Sequence, residues 1–303
     1  MAVTMYMMVG IAGSGKSYVA AQIGAPVVSS DAIRAELYGD ESIQGDANRV
    51  FNEVHRRIKE YLANGEDVIY DATNLSAKRR KGFLSQLPKD VRKVAVVVAT
   101  DIDLILKQNA ERERHVPEDV IMRMYRSFQF PELSEGFDEV DVHVHPDNKS
   151  SVESELKKCE SFDQKNPHHS ATLDAHMEEA GRYAFERRGE MPDGVAENML
   201  IAAARLHDIG KPDTQTFMKP NGKMDDHAHY YNHENVGAYK LACMHDHMGY
   251  TEAQWLNIIR LVQHHMDGYA FRGDKEYAKF GAAYGPEMHK MILIIHDADL
   301  NAH

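Results

Sequence analysis

Two cysteines, Cys159 and Cys243, in 303 residues exclude a disulfide framework and fit a reducing, cytoplasmic setting. Apolar runs such as 94–99 fall far short of the roughly 20 residues a membrane helix needs, so no membrane association is expected. The first residues, Met1 to Met5, show no basic n-region, and no secretory signal is expected. Basic charge is in deficit: 35 Lys+Arg stand against 47 Asp+Glu, a net charge of −12. A protein that coats nucleic acid non-specifically needs the opposite balance, although a local basic groove remains compatible. The 43% hydrophobic content is that of a globular chain, and the length fits about two domains. Histidine is unevenly spread, with four of the 18 before residue 150, so the two halves are expected to do different chemistry.

The first half alternates apolar, β-rich runs at 4–9, 26–29, 67–71, 94–99 and 140–145 with helix-like stretches at 16–23, 31–38, 46–63, 76–86, 102–112 and 117–129. That alternation predicts an α/β domain with a five-stranded parallel sheet covered on both faces, its last strand edge-like. Residues 148–166 turn polar and are read as a linker between a domain at 1–147 and one at 167–303. No strand pattern follows; helices are expected near 170–189, 195–208, 233–247, 252–266 and 286–301. The second domain is therefore predicted to be an all-α bundle.

Gly10-Ile11-Ala12-Gly13-Ser14-Gly15-Lys16-Ser17 fits the phosphate-binding loop pattern between a predicted strand and helix. Its glycines, Gly10, Gly13 and Gly15, let backbone N–H groups, including that of Ser14, wrap the phosphates of ATP or another nucleoside triphosphate. Lys16 reaches the outer phosphates and the Ser17 hydroxyl is placed for Mg²⁺. On the acceptor side, Asp31 follows the second strand and is suited to take a proton from an attacking hydroxyl. Arg34 shares its helical face and suits a substrate phosphate; a second reading makes Asp31 only a helix cap. Asp71 ends the third strand, as a neighbour of Mg²⁺ or a partner for Arg34. The run Lys78 to Lys81 reads as a solvated helix face. Arg112 and Arg114 stand where two helices join, the place for a lid that neutralises charge on the transferred phosphate.

Together G-x-x-x-x-G-K-S, Asp31-x-x-Arg34, Thr73-Asn74-Leu75 followed by Arg79-Arg80, and Asn109-x-x-Arg112 ahead of Val116-Pro117 and Met124-Tyr125-Arg126-Ser127 resemble the kinase domain of bacteriophage-type polynucleotide 5′-kinases. The resemblance implies strand order 2-3-1-4-5. It also implies that Asp31 activates the 5′-hydroxyl, Arg34 binds the acceptor's phosphate and Arg112 contacts the ATP phosphates. Ala72 stands where the family has an aspartate, so Asp71 is not matched to it.

In the second half a mostly apolar helix ends in His207-Asp208-Ile209-Gly210-Lys211-Pro212, where Gly and Pro read as stop signals. A buried His-Asp doublet calls for a partner. His176, His233, His265 and Asp299 recur at intervals of 25 to 34 residues from it or from one another, each on its own predicted helix, so a bundle can converge them on one metal. Imidazole with carboxylate suits Mn, Fe, Ni, Co or Zn. The pattern H…HD…D with H-D-I-G-K resembles the HD phosphohydrolase superfamily, and residues 164–169 resemble the lead-in of HD domains linked to RNA processing. The resemblance implies a core site of His176, His207, Asp208 and Asp299, extended to two metals by His233 and His265, with Lys211 facing the scissile phosphate. His264 competes with His265, Asp297 with Asp299, and His169 is a pocket-lining candidate; 225–229 reads as a loop without a role.

These readings combine into an enzyme that heals nucleic-acid ends, RNA or DNA, with a 5′-hydroxyl kinase and a metal-dependent hydrolase of terminal or 2′,3′-cyclic phosphate. An RNA ligase is the expected functional partner. A small-molecule kinase fused to a nucleotide phosphohydrolase, and an ATP-gated HD sensor, are the alternatives.

Overall fold

The computed structural model describes residues 3–41, 43, 45–112, 115–166, 171–270 and 273–302. Arg114 and residues 167–169 of the lead-in segment, His169 among them, lie outside these. The chain divides into two compact units, one running to Met124 and including Pro131–Asp147, the other made of Tyr125–Phe130 and the chain from Asn148 onward.

In the first unit β1 (Thr4–Val9) leads into α1 (Lys16–Ile23), β2 (Val27–Ser29), α2 (Ser30–Tyr38), α3 (Ala47–Ala63), β3 (Val68–Asp71), α4 (Ala77–Leu84), β4 (Arg92–Ala99), α5 (Ile102–Ala110), α6 (Glu118–Arg126), which belongs to this unit as far as Met124, and β5 (Glu139–Val144). The five strands form one parallel sheet in the order β2-β3-β1-β4-β5, as the kinase resemblance implies. Met5, Met7 and Met8 on β1 and Val94 to Ala99 on β4 are all buried. Successive strand side chains point to opposite faces, so both faces of the sheet are covered. β1 is central, with the chain continuing to one side before it crosses to the other. This is the switch point at which α/β sheets present ligand sites.

The basic run on α4 is not the uniformly solvated face its sequence suggests. Lys78, Arg79 and Lys81 are exposed, but Arg80 is buried and holds Glu135 through Nε (2.8 Å) and Nη2 (2.6 Å). Its Nη1 donates to the Asn74 carbonyl (2.9 Å), so this arginine secures the turn after β3.

The second unit contains α7 (Val152–Cys159), α8 (Leu173–Glu186), α9 (Gly194–Leu206), β6 (Thr216–Met218), β7 (Met224–His229), α10 (His233–Ala242), α11 (Glu252–His264), α12 (Asp274–Tyr284) and α13 (Pro286–Asn301). Three features depart from the sequence reading. The expected linker carries α7, capped by Ser151 and buried through Val152, Glu155 and Cys159. The expected loop at 225–229 belongs to an antiparallel hairpin, β6–β7, so this unit is not all-α. Helix α12 lies in a stretch that lacks an apolar stripe, and most of its residues are exposed. Tyr125 and Arg126 of M-Y-R-S also stand in this unit: the Tyr125 hydroxyl donates to Asp213 Oδ2 at 2.9 Å, and Phe128 packs edge-on against Tyr239. Among the described residues no helix is long and apolar enough to cross a membrane.

Candidate active site and metal centre

The loop after β1 is shaped by its glycines. Gly13 and Gly15 take φ of 90° and 92°, the left-handed region that penalises side chains. A Cβ on Gly10 would meet Ser14 Oγ at 2.7 Å and the Val98 carbonyl at 3.0 Å. Ser14 is buried and its carbonyl accepts from Thr100 Oγ1 at 2.8 Å, which ties the loop to the end of β4. Ser17 is exposed on the first turn of α1. The Lys16 ammonium is folded onto the loop, donating to the carbonyls of Gly10 (3.1 Å) and Ile11 (2.9 Å). Burial pulls its pKa down to about 8, with Arg112 acting the same way and Asp71 and Asp31 opposing.

Those interactions place Lys16, Asp31, Asp71 and Arg112 at one edge of the sheet. Asp31 is not the cap of α2: the Ser29 hydroxyl accepts from the N–H groups of Asp31 and Ala32 and fills that role. The Asp31 side chain is 61% exposed and ion-pairs with Arg34, whose own side chain is only 14% exposed. Asp71, opposite Ser29 in the β2–β3 register, is pushed up by burial, with Lys16 lowering it and Asp31 raising it. The ion-pair partner of Arg34 is thus Asp31, while Asp71 faces Lys16.

Arg112 is exposed after α5, and its Nη1 would lie 3.8 Å from a Cβ on Gly13. Sequence reasoning gave no role to Asn109, which is buried and bridges this turn. Its Nδ2 donates to the Val116 carbonyl (2.8 Å) and its Oδ1 accepts from the Val116 N–H (2.9 Å).

In the second unit His176 (α8), His207 and Asp208 (the end of α9), His233 (the start of α10), His265 (after α11) and Asp299 (α13) converge. One ligand atom each from His176, His207, Asp208 and Asp299 lie within 4.8 Å of one another, and so do atoms from Asp208, His233 and His265. Asp208 belongs to both groups. Its Oδ2 is 3.1 Å from His207 Nε2 and 3.3 Å from His176 Nε2; its Oδ1 is 3.1 Å from His233 Nε2 and 3.8 Å from His265 Nε2.

The histidines are oriented alike. Nδ1 lies 2.8 Å from the Ala302 carbonyl in His176, 2.8 Å from Ala204 in His207, 2.8 Å from Tyr230 in His233 and 2.7 Å from Val262 in His265. A carbonyl oxygen only accepts, so each Nδ1 carries the proton and each Nε2 turns to the carboxylates. The Nε2 atoms of His233 and His265 are 3.0 Å apart, and buried His207 Nε2 makes no hydrogen bond although Asp208 is beside it. Nitrogen and carboxylate ligands so placed fit divalent cations of the Mn-to-Zn series. Burial opposes a charge on His207, yet Asp208 and Asp299 raise its pKa to about 10. A bound cation would supply positive charge in place of that proton. Burial, with His207 and His233, pushes His265 down to about 3.

Lys211 is buried, its ammonium 2.6 Å from Asp208 Oδ2 and 2.9 Å from Gln164 Oε1. Gln164 and Tyr230 surround it; the Tyr230 ring lies 5.5 Å from the ammonium and its hydroxyl donates to the Gln164 carbonyl. His264 turns away from the cluster to Asp267 (2.7 Å), and Asp297 pairs with Arg187 (2.7 Å).

Comparison with known proteins gives separate matches for the two halves. Residues 5–131 match the AAA domain family and residues 173–300 the HD domain family. An L-seryl-tRNA(Sec) kinase of Methanococcus maripaludis is 32% identical over 93 residues, 30% of this chain and 36% of that protein. The match thus spans about a third of the curated relative. A solved structure of the Pnkp1/Rnl/Hen1 RNA repair complex has 21% identity and a TM-score of 0.39 over 45% of this chain and 46% of the other. A gluconokinase from Sinorhizobium meliloti 1021 has 20% identity and a TM-score of 0.34 over 46% of this chain and 82% of the other. The chain therefore carries a P-loop domain of the AAA family followed by an HD domain.

Proposed function

We infer that the chain is a bifunctional enzyme that repairs nucleic-acid ends, RNA above all. Its P-loop domain transfers the γ-phosphoryl group of ATP to a 5′-hydroxyl, and its HD domain hydrolyses a 2′,3′-cyclic or terminal phosphate at the other end. The observation that carries the reading is the pairing, in one chain, of an exposed carboxylate beside the P-loop lysine with a six-residue His/Asp cluster. Cleavage of RNA that leaves a 5′-hydroxyl and a cyclic phosphate creates two ends that need these two reactions. A kinase named for a tRNA-borne acceptor among the relatives supports an RNA-linked hydroxyl as acceptor. An RNA ligase would consume the healed ends.

In the kinase step Asp31 accepts the proton of the 5′-hydroxyl as its oxygen bonds to the γ-phosphorus and ADP departs. Arg34 holds Asp31 and meets the acceptor's phosphate. Lys16 and Arg112 neutralise charge on the transferring group, and the loop N–H groups, those of Gly13, Ser14 and Gly15 among them, cradle the phosphates. Ser17 would hold Mg²⁺, which would screen the negative charge of the phosphates.

In the hydrolytic step His176, His207, Asp208 and Asp299 would hold one divalent ion and Asp208, His233 and His265 a second. Such ions polarise a phosphoryl oxygen and lower the pKa of bound water. Lys211, 2.6 Å from Asp208 Oδ2, faces the phosphate and stabilises the charge that builds on it. Asp31→Ala tests the kinase assignment: transfer to a 5′-hydroxyl should be lost while ATP binding and hydrolysis of the cyclic phosphate persist. Unchanged transfer would refute it.

A further inference from the structure

Tyr269 belongs to none of the motifs above. It stands on the 3-10 turn His265–Ala270, whose first residue is the candidate ligand His265. Although the residue is 47% exposed, its hydroxyl is fixed, donating to Asp299 Oδ2 at 2.7 Å. The ring is held edge-on to His296, with centroids 4.2 Å apart and planes at 88°.

This contact makes the two cluster carboxylates unequal. Asp208 directs both of its oxygens at histidine Nε2 atoms. Asp299 directs only Oδ1 there, at 3.1 Å from His176 and 3.5 Å from His207, while Oδ2 is taken by Tyr269. A carboxylate binds a cation through one oxygen or through both, and a hydrogen bond to the second oxygen favours the first mode.

We propose that Tyr269 is a positioning residue that keeps Asp299 a one-oxygen ligand, and so preserves a coordination position for water or a phosphoryl oxygen. Catalytic metal sites need such an open position, whereas structural sites are closed. The inference rests on the metal reading of the cluster and adds to it the residue that keeps the site open. A hydroxyl that holds one oxygen of Asp299 acts on the site without being a ligand.

Tyr269→Phe removes the hydroxyl and keeps the ring, at an exposed position where folding is not at stake. The test uses the full-length, metal-stripped protein with Co²⁺ alone as the probe. Visible absorption of Co²⁺ weakens as its coordination number rises, and equilibrium dialysis gives its affinity. The variant should bind Co²⁺ within about threefold of wild type but absorb more weakly, because Asp299 supplies its second oxygen. Hydrolysis of bis(p-nitrophenyl) phosphate should lose about tenfold or more in kcat with little change in KM, within the range seen for outer-shell changes. An unchanged spectrum would overturn the inference. So would a tenfold weaker affinity with activity restored by excess Co²⁺, the result of a residue that only strengthens the ligand set. If wild type binds no Co²⁺, or Asp208→Ala binds it equally well, the metal reading falls and the inference with it.

Discussion

Replacing Gly210 by alanine separates a conformational from a packing role for the glycine of H-D-I-G-K. In sequence it reads as a helix stop, but its φ of −82° and ψ of −14° are open to any residue. If conformational freedom were its only purpose, alanine would stabilise by about 0.4–1 kcal/mol through the unfolded state. The structure gives the opposite sign. A Cβ there would meet the His233 carbonyl oxygen at 2.1 Å and the Gly237 nitrogen at 2.7 Å, where ordinary contacts begin at 3.4 Å. The first turn of α10 must therefore retreat by roughly 1.3 Å, the difference between 3.4 and 2.1 Å. Overpacking of this kind costs about 1–3 kcal/mol, or on the order of 3–10 °C in Tm for a unit of this size. The same movement carries His233 away from Asp208 and His265, beyond the ±0.2 Å or so that metal ligation tolerates. Thermal unfolding without metal, followed by Mn²⁺ titration calorimetry, should show a lower Tm and loss of the site built by Asp208, His233 and His265. An equal or higher Tm with unaltered Mn²⁺ binding would refute the close-packing argument.

Removing one partner of the buried Arg80–Glu135 pair by Arg80→Ala should cost about 3–5 kcal/mol in urea unfolding, whereas Arg79→Ala should cost almost nothing; similar losses would contradict the contrast in burial. Lys16 offers a pH test. Its pKa is depressed to about 8 in the free protein, and bound phosphates favour the charged form, so ATP binding takes up a proton once pH exceeds about 8. ATP affinity should be nearly level below pH 7 and fall toward tenfold per unit above 8. Calorimetry in buffers of different ionisation heat would show the uptake, and its absence at pH 9 would show that Lys16 is not depressed. Lys16→Ala should abolish phosphorylation alone and Asp208→Ala hydrolysis alone; loss of both activities from either change would point to one shared site.

Much of this was legible in the sequence because it is local. The phosphate-binding loop, five strands and the principal helices announce themselves by short-range pattern, and the candidate metal ligands of the second unit by residue type on successive helices. What the sequence left open depends on direction in space. Adjacent helical residues point about 100° apart, so only the fold separates His265, in the cluster, from His264, on Asp267. The same holds for Asp299 and Asp297 on α13. The β6–β7 hairpin escaped because β6 has three residues and β7, Met-Asp-Asp-His-Ala-His, lacks β-branched residues. Arg80 hid within a basic run, and Tyr269 acts through a contact 30 residues along the chain.

Treatment of both ends of a broken RNA by one chain can be read on a single oligoribonucleotide. The RNA carries a 5′-hydroxyl and a 2′,3′-cyclic phosphate and is incubated with the protein, ATP, Mg²⁺ and Mn²⁺. Mass spectrometry then reads each end. The 5′ end should gain a phosphate, and the phosphate at the other end should be opened or removed. Both ends left intact while free nucleosides and nucleotides react would contradict it.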